Sequence, residues 1–330
     1  MIIKESDPSG IYLTLCNDVG LSLTLSELGA GIYEIAYGGK KMSIAPATHR
    51  PYEVSSAYFG KTVGRISGRI KDAILSWRGK EYEIGQNEGF NTLHGGPRGF
   101  SYQTFGLVDH YENEKELVAK FNNVSLSGDM GFPGEVEINV IYTLSKNEPS
   151  FTITYEIASK EATPVGLTNH TYFNLGGKAN VTKDFLQVKA DAIYELDEEM
   201  VPVKAIALSP LFDLNERKTI GEIADDPSLI GTKPNGLDHI YRLKQEEGPK
   251  VILENDDYRL EIQTDFPCCC IYADNYPRDG MILNTGLPEE RHSAIAIEPC
   301  EKPGDFEAMC VSPEAKKTRQ ITYTFLKKGE

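Results

Sequence analysis

Apolar and polar residues alternate through most of the chain, as in IYLTL (11–15), LSLTLSEL (21–28), EVEINVIYTL (135–144) and FTITYEIA (151–158). The same period of two runs through LQVKA (186–190), KVILEN (250–255), YRLEIQTD (258–265), SAIAIE (293–298) and RQITYTFL (319–326). Successive side chains of an extended chain point to opposite faces, so this pattern predicts strands, each bounded here by Gly, Pro, Asn or Asp. Helical spacing is confined to KTIGEIAD (218–225) and residues 226–230, a turn or two each and too short to bury an apolar stripe. Many short strands without interspersed helices are incompatible with a doubly wound α/β fold and predict an all-β sandwich or barrel. No linker, charge block or internal repeat divides the sequence, so residues 1–330 read as a single domain.

Five stretches break the alternation. The densest is VGLTNHTYFNLGG (165–177), where Asn169, His170, Thr171, Tyr172 and Asn174 stand almost side by side and Gly176 and Gly177 follow. Core filling does not require such a run, and its donors and acceptors suit the wall of a polar pocket. A histidine among Asn and Thr is also a common satisfied turn residue, and His170 alone does not separate the two readings.

VGRISGRI (63–70) places Arg65, Ser67 and Arg69 on one face if extended, so that one arginine reaches a pocket or both are solvated. NEGFNTLHGGPRGF (87–100) is a glycine-rich loop carrying His94, and NGLDHIYRL (235–243) sets Asp238 at the entry to a strand, a position where aspartate commonly forms a turn. In AIAIEPC (294–300) an apolar strand runs into Glu298. A carboxylate there is costly to desolvate unless it is paired or used, which leaves a structural ion pair or a working acid–base group.

Composition narrows the function. Lys and Arg total 34 against 49 Asp and Glu, a formal charge of -15, which disfavours nucleic acid and anionic membranes as partners. MIIKESDPSG lacks the basic and apolar regions of a secretion signal, and no apolar run has the length of a membrane helix, so the expected location is cytoplasmic. Six cysteines, three of them consecutive at 268–270, show no CxxC or Cys/His ligand spacing and read as reduced, mostly buried thiols. The Asn-x-Ser/Thr matches at Asn123, Asn169 and Asn180 then carry no glycosylation meaning.

Together these segments resemble the aldose 1-epimerase (galactose mutarotase) family. LTNHTYFNLGG is similar to the segment carrying that family's catalytic histidine, VGRISGRI to its glycine–arginine segment and NTLHGGPRGF to its Asn-x-Leu-His-Gly-Gly loop. GLDHIYRL and AIAIEPC follow where the family has its aspartate and glutamate, and the resemblance runs from about residue 20 to the C-terminus. It implies a large antiparallel β-sandwich of the galactose mutarotase type with a sugar cleft, Glu298 as base and His170 as acid. Arg69, His94 and Asp238 would bind sugar hydroxyls, while Asn174 and Tyr172 would brace the His170 segment. It also implies a His170 that is protonated and a Glu298 that is ionised when substrate binds, a state their mutual attraction favours. Neither metal nor redox cofactor is implied, and monomer and homodimer are both compatible.

Gly68, Cys270, Pro299 and Cys300 depart from the family's usual residues and bear on the sugar subsites rather than on acid and base. The function expected is anomer interconversion of a free hexose such as galactose or glucose. Two alternatives stay open: an epimerase for a phosphorylated or otherwise modified sugar, whose phosphate would need clustered Arg or Lys, and a carbohydrate-binding protein without chemistry.

Overall fold

The structure, a computed structural model, describes residues 1–329. Its largest sheet has nine strands in the order Gly106–Glu112, Glu116–Ser125, Val136–Ser145, Ser150–Ser159, Lys317–Lys327, Tyr258–Thr264, Val251–Glu254, Phe185–Val188 and Lys218–Thr219. A seven-stranded sheet runs Pro202–Ile206, Ala190–Leu196, Asp238–Leu243, Cys268–Tyr272, Ile295–Cys300, Tyr172–Phe173 and Ser43–Ile44. Neighbours within both sheets are antiparallel. Five more strands, from Ile2–Asp7 to Lys40–Lys41, form an N-terminal meander.

The period of two in the sequence explains how the large sheets meet. Val140, Tyr142, Ile153, Tyr155, Ile321 and Tyr323 of the nine-stranded sheet lie in one hydrophobic cluster with Tyr241, Cys269, Ile271, Ile295 and Ile297 of the seven-stranded sheet. These are the inward faces of a β-sandwich, and the fold is all-β as the alternation predicts. Leu13, Leu23 and Ile35 of the meander join the same cluster.

Several elements were not legible in the pattern. Gly106–Glu112 is an almost wholly exposed edge strand, so it shows little apolar alternation. Cys268–Tyr272 is covered on both faces and lacks polar alternation for the opposite reason. The predicted helical turns reduce to Ile220–Ala224, started by a capping box between Thr219 and Glu222, and residues 226–230 form turns instead. A short helix at His49–Val54 carries no periodicity long enough to detect. The six cysteines are free, with three buried and three half-buried, so burial is less complete than expected. Among the described residues no helix is long and apolar enough to cross a membrane.

Candidate active site

Glu298 owes its position to strand alternation. Ile295 and Ile297 enter the sandwich core, so Ala296, Glu298 and Cys300 take the opposite face of the same strand. Register sets Glu298 opposite Cys270, and sets Tyr272 between Ala296 on one side and Asp238 on the other. The strand continues through Pro299 to Cys300 rather than ending at the acid. On the side of Tyr172–Phe173 only Ile295 and Ala296 are paired, so the proline falls where the strand is locally an edge.

His170 sits at the break between two short strands. Asn169 pairs with Thr62, whereas Tyr172 and Phe173 pair with Ile44 and Ser43 in another sheet. The His170 N–H donates to the Lys61 carbonyl (2.9 Å), and its carbonyl accepts from the Gly60 N–H (2.8 Å). Asn169 Nδ2 donates to the Gly60 carbonyl at 2.7 Å. Asn174 Nδ2 donates to the Ser293 carbonyl at 2.7 Å and its Oδ1 accepts from the Lys178 N–H at 2.8 Å. The dense polar run is therefore mostly scaffolding that holds one imidazole, and the Tyr172 ring lies tilted beside it with centroids 5.0 Å apart.

The two groups meet. His170 Nε2 lies 3.4 Å from Glu298 Oε1, with residue exposures of 5% and 4%. His94 approaches from the glycine loop, its ring centroid 5.3 Å from that of His170. Its Nδ1 accepts from the Gly68 N–H at 3.2 Å, which assigns the ring proton to Nε2. Gly95 is needed beside it, since its φ is +87° and a Cβ there would fall 1.9 Å from the Gly64 carbonyl oxygen. Arg69 is held by Glu88 through two bonds, Nε to Oε2 at 2.6 Å and a terminal nitrogen to Oε1 at 2.8 Å. The Cys270 thiol donates to Asp238 Oδ1 at 3.7 Å.

Arg69, His94, His170, Asp238 and Glu298 all line one cavity of about 340 Å³. Arg65 does not: it is buried elsewhere, donating to the carbonyls of Pro133 and Gly134 (2.7 Å each). The alternatives for this arginine pair thus resolve into one of each kind, a cavity residue and a structural one.

Burial dominates the electrostatics. It pushes Glu298 well above the usual carboxylate range, with Asp238 adding to the effect and Arg69 opposing it. It pushes His170 down to about 3, with Arg278 contributing, and His94 well below the usual histidine value, with His170 and Arg69 contributing. Asp238 is raised by burial against the pull of Arg69 and Cys270. Burial opposes the charge of Arg69 too, but the Glu88 pair holds its pKa above the usual guanidinium value. Burial thus works against the charged form of both groups, so the ion pair expected when substrate binds must be formed against desolvation. The proton count is unchanged, since a neutral carboxyl and a neutral imidazole hold one proton between them, as the ion pair would.

Cavity residues absent from the sequence reading include Glu88, Tyr58, Tyr276 and Arg278. Arg278 is fixed by Asp274 (2.9 Å) and by Glu289, with its guanidinium over the Phe59 ring. Its local sequence, NYPRDG, is a turn composition and gave no signal, whereas Glu88 lies inside the loop already singled out. Among the described residues, His94, His170 and Glu298 offer atoms all within 4.8 Å of one another, a group that could hold a metal ion.

The sequence model of aldose 1-epimerase matches residues 12–330. The chain belongs to the aldose 1-epimerase family. It is 32% identical to the galactose mutarotase of Sus scrofa over 257 residues, 76% of this chain and 72% of that protein. It is 30% identical to the aldose 1-epimerase of Escherichia coli K12 over 280 residues, 80% of this chain and 78% of the relative. Among solved structures, a GalM/aldose epimerase homologue from C. elegans superposes with a TM-score of 0.86 at 26% identity, covering 96% of this chain and 98% of that one. Galactose 1-epimerase from Lactobacillus acidophilus gives 0.87 at 24% identity over 99% and 98% of the two chains, a likeness of fold. The sandwich is thus of the galactose mutarotase type, and the enzyme is a carbohydrate isomerase of this family.

Proposed function

We propose that this epimerase interconverts the α and β anomers of a free hexose, galactose or glucose, with Glu298 as base and His170 as acid. The observation that carries the reading is the buried contact of 3.4 Å between these two groups on the wall of a cavity of sugar size. Ring opening needs a proton taken from the C1 hydroxyl and a proton delivered to the ring oxygen. The pair holds one proton, and its transfer from Glu298 to His170 across their contact leaves a carboxylate facing O1 and an imidazolium facing O5. Glu298 then removes the O1 proton, the C1–O5 bond breaks as His170 protonates O5, and an open-chain aldehyde results. Rotation about C1–C2 and the reverse transfers give the other anomer and restore the pair.

Arg69, His94 and Asp238 bind sugar hydroxyls. His94 presents Nε2–H as a neutral donor, Arg69 a charged donor oriented by Glu88, and Asp238 an acceptor. Their contribution is orientation, which counts for most when reacting atoms are held about 3 Å apart. Both cavity arginines are already matched by carboxylates, Arg69 by Glu88 and Arg278 by Asp274 and Glu289, which favours an uncharged sugar over a phosphorylated one.

The same reading treats residues 1–330 as one domain, supported by a core that runs from Leu13 to Phe325. A monomer and a homodimer are both compatible with a cavity to which this chain contributes the acid, the base and the sugar-binding residues. A cytoplasmic location is supported by the unpaired thiols. The test is polarimetry on freshly dissolved α-D-galactose and α-D-glucose, comparing wild type and Glu298→Gln with the spontaneous rate. Acceleration by the wild type alone is expected, and equal rates for both proteins would overturn the assignment.

A further inference from the structure

A working imidazole is commonly oriented by a hydrogen bond on the ring nitrogen that faces away from the reaction. His170 lacks one to any neighbour. Its Nε2 faces Glu298, whereas Nδ1 is buried and meets no hydrogen-bonding group of another described residue. The ring bonds to its own main chain, which ties it to no other element. Aromatic rings surround it instead. Tyr58 lies tilted beside His170 with centroids 5.7 Å apart, and meets His94 edge-on at 4.8 Å and 67°. With the two imidazoles 5.3 Å apart, Tyr58, His94 and His170 close a triangle in which each ring packs against both others.

The backbone holds this ring in place against a local preference. Tyr58 has a φ of +58°, a left-handed conformation that a bulky side chain rarely adopts. Its carbonyl accepts from the Lys61 N–H at 2.9 Å, which closes a tight turn. The same turn grips the His170 main chain from both sides, through the Gly60 N–H and the Lys61 carbonyl. One turn thus holds the histidine by its backbone and packs a ring against its side chain. Strain of this kind persists where the surroundings over-determine it, and it gathers at functional sites. Burial, with Tyr102 adding to it, pushes the Tyr58 phenol well above its usual value, so it stays protonated at neutral pH and serves no proton transfer. What Tyr58 brings to the cavity wall is a rigid shape.

We propose that Tyr58 is a positioning residue that fixes the His170 imidazole by packing, in place of a hydrogen bond at Nδ1, and sets its angle to the His94 ring. The effect on rate rests on the reading of His170 as acid and His94 as sugar donor, whereas the fixing of the ring does not. A reacting group misplaced by about 1 Å costs on the order of 100-fold in rate. Loss of the ring therefore acts on kcat, although Tyr58 itself transfers no proton.

The test separates the ring from the chemistry. Side-chain nitrogen–proton correlation spectra read the imidazole without any substrate, with the His170 signals assigned by their loss in His170→Asn. Wild type should show one protonated and one unprotonated ring nitrogen, well separated. In Tyr58→Leu, which keeps apolar volume, and in Tyr58→Asn, which suits a positive φ, that separation should collapse toward an averaged position. Polarimetry on α-D-galactose should show kcat falling by roughly 10- to 100-fold in both variants, while Tyr58→Phe, which keeps the ring, stays within about threefold of wild type. An unchanged His170 spectrum in either ring-less variant overturns the proposal. So does a loss in Tyr58→Phe as large as in Tyr58→Leu, which would place the effect on the hydroxyl, or a loss confined to Tyr58→Leu, which would place it on the backbone. Collapsed His170 signals together with wild-type turnover in His170→Asn would uphold the fixing of the ring while overturning the acid assignment.

Discussion

The two large sheets obey the same period of two, yet their outer faces meet different surroundings. In Val136–Ser145 of the nine-stranded sheet, buried Ile138, Val140, Tyr142 and Leu144 alternate with residues that reach water, such as Glu137. In Ile295–Cys300 of the seven-stranded sheet both faces are buried, one by the sandwich core and the other by loops from residues 58–70, 88–94 and 168–172. A carboxylate on the first sheet's outer face stays hydrated, whereas Glu298 on the second is stripped of water and raised well above its usual range. The difference teaches that the sandwich supplies position on both sheets, but the loops turn one outer face into a low-dielectric site.

The largest expected effect comes from the group on the covered face. Glu298→Gln keeps the shape of the strand but cannot accept the O1 proton, and kcat should fall by about 10²–10⁴-fold. His170→Asn should fall comparably, and near-normal turnover of either protein by polarimetry would end the contrast between the faces. The residue one position away breaks the comparison differently. Ile297→Ala empties a core site and should lower stability by about 2–5 kcal/mol in denaturant titration, while the folded fraction keeps most of its kcat. A kinetic collapse with unchanged stability would mean that the two faces are not independent.

Smaller effects follow at the rim of the pair. His94→Asn and Asp238→Asn each remove or weaken one contact to a sugar hydroxyl, with about a tenfold loss in kcat/KM, shared between KM and kcat. Unchanged kinetics would remove the residue from the site. The pH profile tests burial itself. Because His170 is depressed to about 3, it gains a second proton for the pair only near that pH, so the acid limb of kcat/KM should lie below about pH 4. The pair loses its one proton only when pH passes the raised Glu298 value, so the basic limb should lie well above the usual carboxylate range. An inflection near pH 6.5 would show an ordinary hydrated histidine.

How much of this was legible follows from the same contrast. One-sided burial writes alternation into the sequence, so Val136–Ser145 and Ser150–Ser159 could be read directly. Two-sided burial erases it, which hid Cys268–Tyr272 although that strand lies directly beside Glu298. His170 and Glu298 stood out because polar groups interrupt an apolar pattern, and the family resemblance gave them roles. Arg278 did not stand out, since what places it is a buried ion network with Asp274 and Glu289 rather than any local pattern. Strand order was also beyond reach: Lys317–Lys327 inserts between Ser150–Ser159 and Tyr258–Thr264, pairings that join residues far apart in the chain.

The smallest effect is expected on the hydrated face. Glu137 is exposed, and its carboxylate accepts only a solvent-accessible hydrogen bond from Asn122 Nδ2 at 3.3 Å. Glu137→Gln retains an acceptor oxygen and removes a charge that water already screens, so stability should change by no more than about 0.5 kcal/mol and kcat not at all. The inward neighbours Val136 and Ile138 keep their packing, because the substitution lies on the other side of the pleat. A denaturant midpoint shift equivalent to more than about 1 kcal/mol would contradict a water-facing strand. Concentration dependence of that shift would locate the cause in a partner subunit covering this face, and both sheets would then be buried on two sides.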